Sequence, residues 1–423
     1  MKAHQKMLLG IAVGTLAGLA ANEWAADAAW LTWTTANLTG PLGQIFLRLL
    51  FMLVVPMLFA ALVMGVCELD LRHLGRLGAR TLGYTVVFSF IAVIIGLLLV
   101  NVIRPGVGMS EEVMAKARTS TNAPKPAASE GAGSLLVTMV PDNVVKAAAN
   151  GDMIGLIVFS LIFGAGLATL QSTATDRLKE VIAGLYEVMM RLIDWVLKLA
   201  PLGVAALLFN MTSRLGLGIL LQLASYVGTV LLALALHQFV VYSLSVRFLG
   251  GRSPLAFFRD IRLAMVTAFA TSSSSATLPT ALKVAEENLK LPRAVSRFVL
   301  TAGSAMNQNG TALFEGVTVL FLAQLFSVPL SISDQFFVML ICVLAGIGTA
   351  GVPAGSIPVI AMILVRYNIP VEGLGLILGV DRFLDMCRTT LNVTGDLAAA
   401  VYVSRGYEEA DAHHPEPSAR VQP

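Results

Sequence analysis

Five polar residues recur near the C-terminal end of the 423-residue chain: Asp381, Asp385, Arg388, Asn392 and Asp396, separated by 4, 3, 4 and 4 positions. At about 100° per residue they fall within an arc of roughly 80° on one helix face. The rest of that segment is apolar, so the helix carries a single charged stripe. An arginine's planar fork takes a carboxylate through two parallel hydrogen bonds, and Asp385, three residues before Arg388, is an acceptor for an ammonium group. Together they suit a zwitterion with a second carboxylate. The alternative is a structural ion-pair network that ties helices together.

Three further clusters could do chemistry. Asn307-Gln308-Asn309-Gly310-Thr311 interrupts the apolar segment 301–314. Adjacent polar residues and a glycine there suggest an unwound helix whose oxygens could hold a hard cation such as Na+. A polar kink satisfied by neighbouring helices is the other reading. Thr271-Ser272-Ser273-Ser274-Ser275 lies in the middle of an apolar stretch bounded by Arg262 and Lys283. Free backbone N–H groups and helix N-termini at such a turn suit an anion. Gly346-Ile347-Gly348-Thr349-Ala350-Gly351-Val352-Pro353-Ala354-Gly355-Ser356 forms the middle of a second such stretch.

The elements that must position these residues are membrane helices. Hydrophobic residues make up 56% of the chain and charged residues 13%, against roughly 25% charged in soluble domains. That excludes a water-soluble fold and bulk disorder. The net charge of +3 is too balanced for nucleic-acid binding. Cys67, Cys342 and Cys387 lack CxxC spacing and read as small buried hydrophobes. A span needs about 20 apolar residues, and uncharged stretches near that length recur over Met7–Asn22, Leu49–Cys67, Thr81–Ile103, Met153–Thr175 and Leu215–Val246, with a charge-interrupted one near Ala183–Met211. Counted from a cytoplasmic Lys2/Lys6 end, the clusters around Arg72–Arg80, Arg177–Lys179, Arg247–Arg262 and Lys283–Arg297 all fall on one side, as positive-inside topology requires. A cleaved signal peptide is the alternative for the N-terminal run.

Two segments cannot be ordinary spans. The serine-rich stretch has cytoplasmic charges on both flanks, so the chain must enter and return on one side. Gln335–Val365 is uncharged for 31 residues; as one helix it would be about 46 Å long, against a core of ~30 Å. Its central glycines and proline break it into two half-helices, and paired interrupted segments point to a transporter binding site. A kinked helix packed through small residues is the simpler alternative for each tip taken alone.

On the four motifs Thr271-Ser-Ser-Ser-Ser-Ala-Thr-Leu-Pro279, Asn307-Gln-Asn-Gly-Thr311, Gly348-Thr-Ala-Gly-Val-Pro353 and Leu384-Asp-Met-Cys-Arg-Thr389 with Asn392-Val-Thr-Gly-Asp396, the chain resembles the dicarboxylate/amino acid:cation symporter family, which includes archaeal aspartate and animal glutamate transporters. The resemblance runs from the first span to about Arg405. It implies an all-α polytopic membrane protein of eight transmembrane helices and two re-entrant hairpins, a homotrimer in the cell membrane that works as an elevator. In that layout residues 1–76 hold scaffold helices 1–2, 77–104 transport-domain helix 3, 105–133 an external loop and 134–213 scaffold helices 4–5. Helix 6 takes 214–252, hairpin 1 takes 253–292, the broken helix 7 takes 293–333, and hairpin 2, the gate, takes 334–368. Helix 8 covers 369–405, followed by a disordered cytoplasmic tail, 406–423, with both termini cytoplasmic.

The resemblance also implies substrate contacts at Ser273, Ser274, Thr311, the backbone of Gly351 and Val352, Asp385, Arg388, Thr389 and Asn392. Arg388 would take a side-chain carboxylate and Asp385 the amino group, which favours aspartate or glutamate. One sodium site would use backbone oxygens of Gly303, Asn307 and Asn392 with the Asp396 carboxylate. A second would use carbonyls near Ala305, Ile347 and Thr349. The family's third ion site departs here: its aspartate is Asn309, and a threonine-serine pair reads Phe88-Ser89. The expectation is fewer Na+ per cycle, or H+ in place of some. A family arginine is also absent, its two alternative positions being Ser272 and Met386; either Arg382 substitutes for it or Arg382 pairs with Asp381 or a carbonyl. Rival functions are a C4-dicarboxylate or neutral amino acid symporter, an anion channel, and an intramembrane enzyme, the last without a GxSxG, GxGD or HExxH pattern.

Overall fold

The computed structural model describes residues 3–25, 28–68, 75–108, 140–150, 153–170, 172–348 and 356–413. Among these the chain is helical throughout, with no strand. In chain order the helices are α1 (Ala3–Ala25), α2 (Ala29–Thr34), α3 (Gly40–Glu68), α4 (Gly75–Ile103), α5 (Val144–Asn150), α6 (Met153–Thr169), α7 (Thr173–Leu215), α8 (Gly218–Leu236), α9 (Pro254–Thr271), α10 (Ser274–Glu287), α11 (Arg293–Met306), α12 (Asn309–Leu325), α13 (Ile332–Gly348), α14 (Ser356–Arg366) and α15 (Leu374–His413). Beyond α8 the coil continues to Leu249 through two wider π-helical turns.

Two helices, Leu77–Ile103 and Gly218–Leu249, are each long and apolar enough to cross a membrane. The arms Thr173–Ile193 and Lys198–Arg214 of α7 qualify together, bent by 53°. The bend lies between the charged first half and the apolar second half. The span expected over Met153–Thr175 is shorter, because α6 ends at Thr169 and Ser172 caps the next helix by accepting from Thr175 N–H at 3.2 Å. α15 runs on to His413, into the segment expected as a tail from Gly406. Most of the expected external loop, residues 109–133, lies outside the described residues.

The helices pack as two groups. In the first, α1 and α3 lie along α7, and α3 also packs on α6. Gly10, Gly14 and Gly18 make the close approach of α1: a Cβ at Gly14 would come within 2.7 Å of Ala205 Cα on α7. In the second group α12 is central and buried on nearly every side. It packs against α4, α13 and α15, while α9, α10 and α11 surround α15. The groups meet where α15 crosses α7 and where α13 and α14 lie against α3.

Two pairs of helices, α9 with α10 and α13 with α14, pack inside the second group. Ser272 ends α9 in a left-handed conformation (φ 51°), and Ser273 opens α10, its Oγ accepting from Ala276 N–H at 3.2 Å. The far ends come back together, with Asn288 Nδ2 donating to the Asp260 carbonyl at 2.7 Å. For α13 and α14 the Tyr367 hydroxyl reaches the Asp334 carbonyl at 3.4 Å. The described parts of α13 and α14 are 17 and 11 residues long.

Candidate functional site

The helical ladder breaks between α11 and α12. Asn307 (φ −95°, ψ 66°) and Gln308 (φ −100°, ψ 51°) leave helical geometry, which frees backbone groups in the protein interior. Side chains of α15 compensate. Asn392 accepts from Gly310 N–H at 2.7 Å through Oδ1, while its Nδ2 donates to Gln308 Oε1 at 2.6 Å and to Thr311 Oγ1 at 3.2 Å. Gln308 Nε2 in turn donates to the Ser304 carbonyl at 3.0 Å. Gly310 lets the strands of this junction touch: a Cβ there would meet the Arg388 carbonyl oxygen at 2.7 Å.

One turn further along α15, Asp396 accepts from Asn307 Nδ2 at 2.9 Å. Gly303 lies against the same carboxylate, with a Cβ excluded at 2.5 Å from Oδ1. Asn307 Oδ1 is buried without a hydrogen-bond partner. A buried carboxylate beside an unused amide oxygen and an unwound backbone is a donor set for a hard, oxygen-liking cation. Among the described residues no group of three or more His, Cys, Asp or Glu could hold a metal ion, so such a cation would rely on amide and carbonyl oxygens.

Arg388 anchors the stripe from inside. It is 1% exposed, and Phe314 of α12 covers its guanidinium at 4.1 Å from the ring centroid. Its Nε donates to Asp385 Oδ1 at 3.0 Å, and its Nη2 lies 2.9 Å from Asp381 Oδ1. Its Nη1 is buried without a partner. Arg382 is half-exposed and approaches Asp385 Oδ2 at 3.8 Å, so its partner is Asp385 rather than Asp381.

The departures from the family motif form a network of their own. Asn309 Oδ1 accepts from Ser89 Oγ at 2.5 Å, and Asn309 Nδ2 donates to the Tyr242 hydroxyl at 2.9 Å. The helices α4 and α12 and the coil after α8 converge there.

Of the substrate positions expected from sequence, Thr311, Asp385, Arg388 and Asn392 come together at the junction of α12 and α15. Thr389 is buried beside them on α15. Ser273 caps α10, and Ser274 Oγ is buried without a hydrogen-bond partner, as is Ser356 Oγ at the start of α14. Gly351, Val352 and Thr349 lie outside the described residues, and Ile347 is described only as backbone at the end of α13. Gly303 and Ala305 sit on the last turns of α11, Gly303 against Asp396.

Sequence reasoning missed two carboxylates. Asp381 was seen on the stripe but not as a direct partner of Arg388. Glu315 on α12 is fully buried with both carboxylate oxygens unpartnered. Its signal was available: it is the sole charged residue of the 17-residue α12, and a lone acid in an apolar helix marks function by default.

A helical chain with a broken helix, two inner pairs of helices and a buried charged stripe has the parts of a solute transporter. The chain belongs to the sodium:dicarboxylate symporter family, whose pattern matches residues 4–406. It is 34% identical over 385 residues to the proton/glutamate-aspartate symporter of Escherichia coli, covering 90% of this chain and 87% of that one. It is 33% identical to the proton/sodium-glutamate symport protein of Geobacillus stearothermophilus, with 86% and 87% covered. It is also 33% identical to the C4-dicarboxylate transport protein of Rhodospirillum rubrum, with 88% and 83% covered. The family is one of symporters, and these relatives are named as symport or transport proteins, not enzymes.

Proposed function

We propose that this protein is a secondary active symporter that carries an acidic amino acid, aspartate or glutamate, across the cell membrane with Na+, H+ or both. The observation that carries the reading is Arg388: a buried guanidinium whose Nη1 has no partner, one turn from Asp385. The free donor suits the substrate's side-chain carboxylate, and Asp385 Oδ2, approached by Arg382 only at 3.8 Å, suits its ammonium. A dicarboxylate would lack the group that Asp385 is there to bind. Ser274 and the capped turn at Ser273 suit the second carboxylate, with Thr311, Thr389, Asn392 and the residues Gly351 and Val352 completing the cage.

The first Na+ would bind Asp396 with oxygens of Gly303, Asn307 and Asn392, and the second the carbonyls near Ala305, Ile347 and Thr349. At the third position the Asn309 amide is already matched by Ser89 and Tyr242, which supports a cycle with fewer Na+. Glu315 is the counterpart for a proton: a partnerless buried carboxylate is costly in its ionised form and far less so as the neutral acid. Each net charge moved inward through ~100 mV supplies about 2.3 kcal/mol; the first coupled cation offsets the negative charge of the substrate, so the membrane potential drives uptake only from the second cation on.

In this reading α1, α3, α4, α6, α7, α8, α11 with α12, and α15 are the eight spans. The pairs α9–α10 and α13–α14 are the re-entrant hairpins. The first packing group is a scaffold for a homotrimer, and the second moves against it as the elevator, with the Gly348–Ser356 tip as gate and both chain ends in the cytoplasm. The separate packing of the two groups supports it. Uptake of labelled aspartate into proteoliposomes, with Na+ and pH gradients imposed separately and succinate as competitor, tests the assignment. Arg388→Ala should abolish uptake of acidic substrates; retained uptake would refute the role given to Arg388.

A further inference from the structure

The reading above leaves Asp381 without a task. Its side chain is nearly as buried as that of Arg388, and its Oδ1 lies 2.9 Å from Arg388 Nη2. The guanidinium is thus hydrogen-bonded at Nε by Asp385 and covered on one face by Phe314, while Asp381 faces Nη2 as a close charge whose Oδ1 accepts no hydrogen bond, and Nη1 is open. A carboxylate that binds an arginine through two parallel hydrogen bonds needs two nitrogens. With Nε taken and Nη1 free, the available pair is Nη1 with Nη2, and the Asp381 charge crowds Nη2.

We propose that Asp381 is a specificity-determining residue of the acidic amino acid site, a resident anion that competes with the incoming carboxylate for the Nη2 edge of Arg388. The inference rests on the function proposed above and deepens it. Asp381, Asp385 and Arg388 form a cluster of two buried carboxylates and one buried guanidinium, and Arg382, half-exposed and 3.8 Å from Asp385, balances the second carboxylate from the rim. Asp381 repels each carboxylate that a ligand brings to Arg388. A substrate whose ammonium pairs with Asp385 offsets part of that repulsion. A dicarboxylate without an amine does not. Asp381 therefore lowers the affinity for every acidic ligand and lowers it most for those lacking a cation.

The charge can be removed without stranding its partner. After Asp381→Asn, Arg388 keeps Asp385, so the buried cluster becomes a neutral pair rather than an uncompensated charge. The test uses the full chain in proteoliposomes, comparing wild type, Asp381→Asn and Asp381→Glu. The readouts are KM for labelled aspartate and the inhibition constants of unlabelled succinate and malate. Thermal unfolding of each purified variant reports folding. Asp381→Asn should lower KM for aspartate by about tenfold, the scale of one close charge pair, and should lower the succinate and malate constants by a larger factor. Asp381→Glu keeps the charge and should keep wild-type selectivity. A higher KM in the asparagine variant, an unchanged succinate-to-aspartate ratio, or the same relaxed selectivity in both variants overturns the proposal. Failure of the parent reading looks different: the wild type would take up succinate and not aspartate, whereas tighter succinate binding by Asp381→Asn would still uphold the competition at Nη2.

Discussion

Gly310→Ala would set a methyl carbon 2.7 Å from the Arg388 carbonyl oxygen and 3.0 Å from Arg388 Cα and Cβ. All three are fixed atoms of a buried helix rather than the tip of a flexible side chain. Carbon atoms rest at about 3.5–4.0 Å, so the first turn of α12 must retreat from α15 by roughly 0.5–1 Å. The retreat stretches the 2.7 Å bond from Gly310 N–H to Asn392 Oδ1 and pulls Thr311 from Asn392 Nδ2. Overpacking of this kind costs about 1–3 kcal/mol, and each 1.4 kcal/mol is tenfold in an equilibrium. If the loss falls on the assembled site, KM for aspartate rises about 5- to 150-fold. Uptake kinetics in proteoliposomes measure it, with thermal unfolding to report global stability. Gly316→Ala on the same helix is the control, because its Cβ would meet only the tips of Val93 and Leu97 at 3.2 and 3.4 Å. An unchanged KM in Gly310→Ala, or equal losses in both variants, would show that the α12–α15 contact does not hold the site.

Two further outcomes concern the coupling ions. Asn309→Asp combined with Phe88→Thr restores a carboxylate and a hydroxyl beside Ser89 and Tyr242, and should add about one Na+ per substrate; reversal potentials in proteoliposomes measure this, and an unchanged ratio removes the third position from the account. Glu315→Gln should leave Na+-driven uptake in place while abolishing the extra uptake driven by a pH gradient, acid outside. Full retention of the pH response would mean that the proton travels elsewhere.

Much of this site was legible in the chain because helical spacing is local. The steps between Asp381, Asp385, Arg388, Asn392 and Asp396 fix a shared face whatever the helix packs against. Likewise, glycine and proline between residues 346 and 355 cannot continue a long helix. The polar run Asn307–Thr311 announced a break, and the helical ladder opens at Asn307 and Gln308. The two departures at Phe88-Ser89 and Asn309 were visible from motif comparison alone.

Which groups on the stripe touch one another was not legible. The spacing that puts Asp381 and Asp385 on one face does not say that both reach the same guanidinium, because the rotamer of Arg388 is set by Phe314, which comes from another helix. Tyr242 had no motif to mark it, yet it meets Asn309, 67 residues away in the chain. Glu315 was visible as a letter, but its isolation was not. Sequence set the faces, breaks and charges, since these follow from backbone geometry and side-chain chemistry. Tertiary packing alone decided which donors meet which acceptors and which are left open, because those contacts depend on how closely separate helices approach.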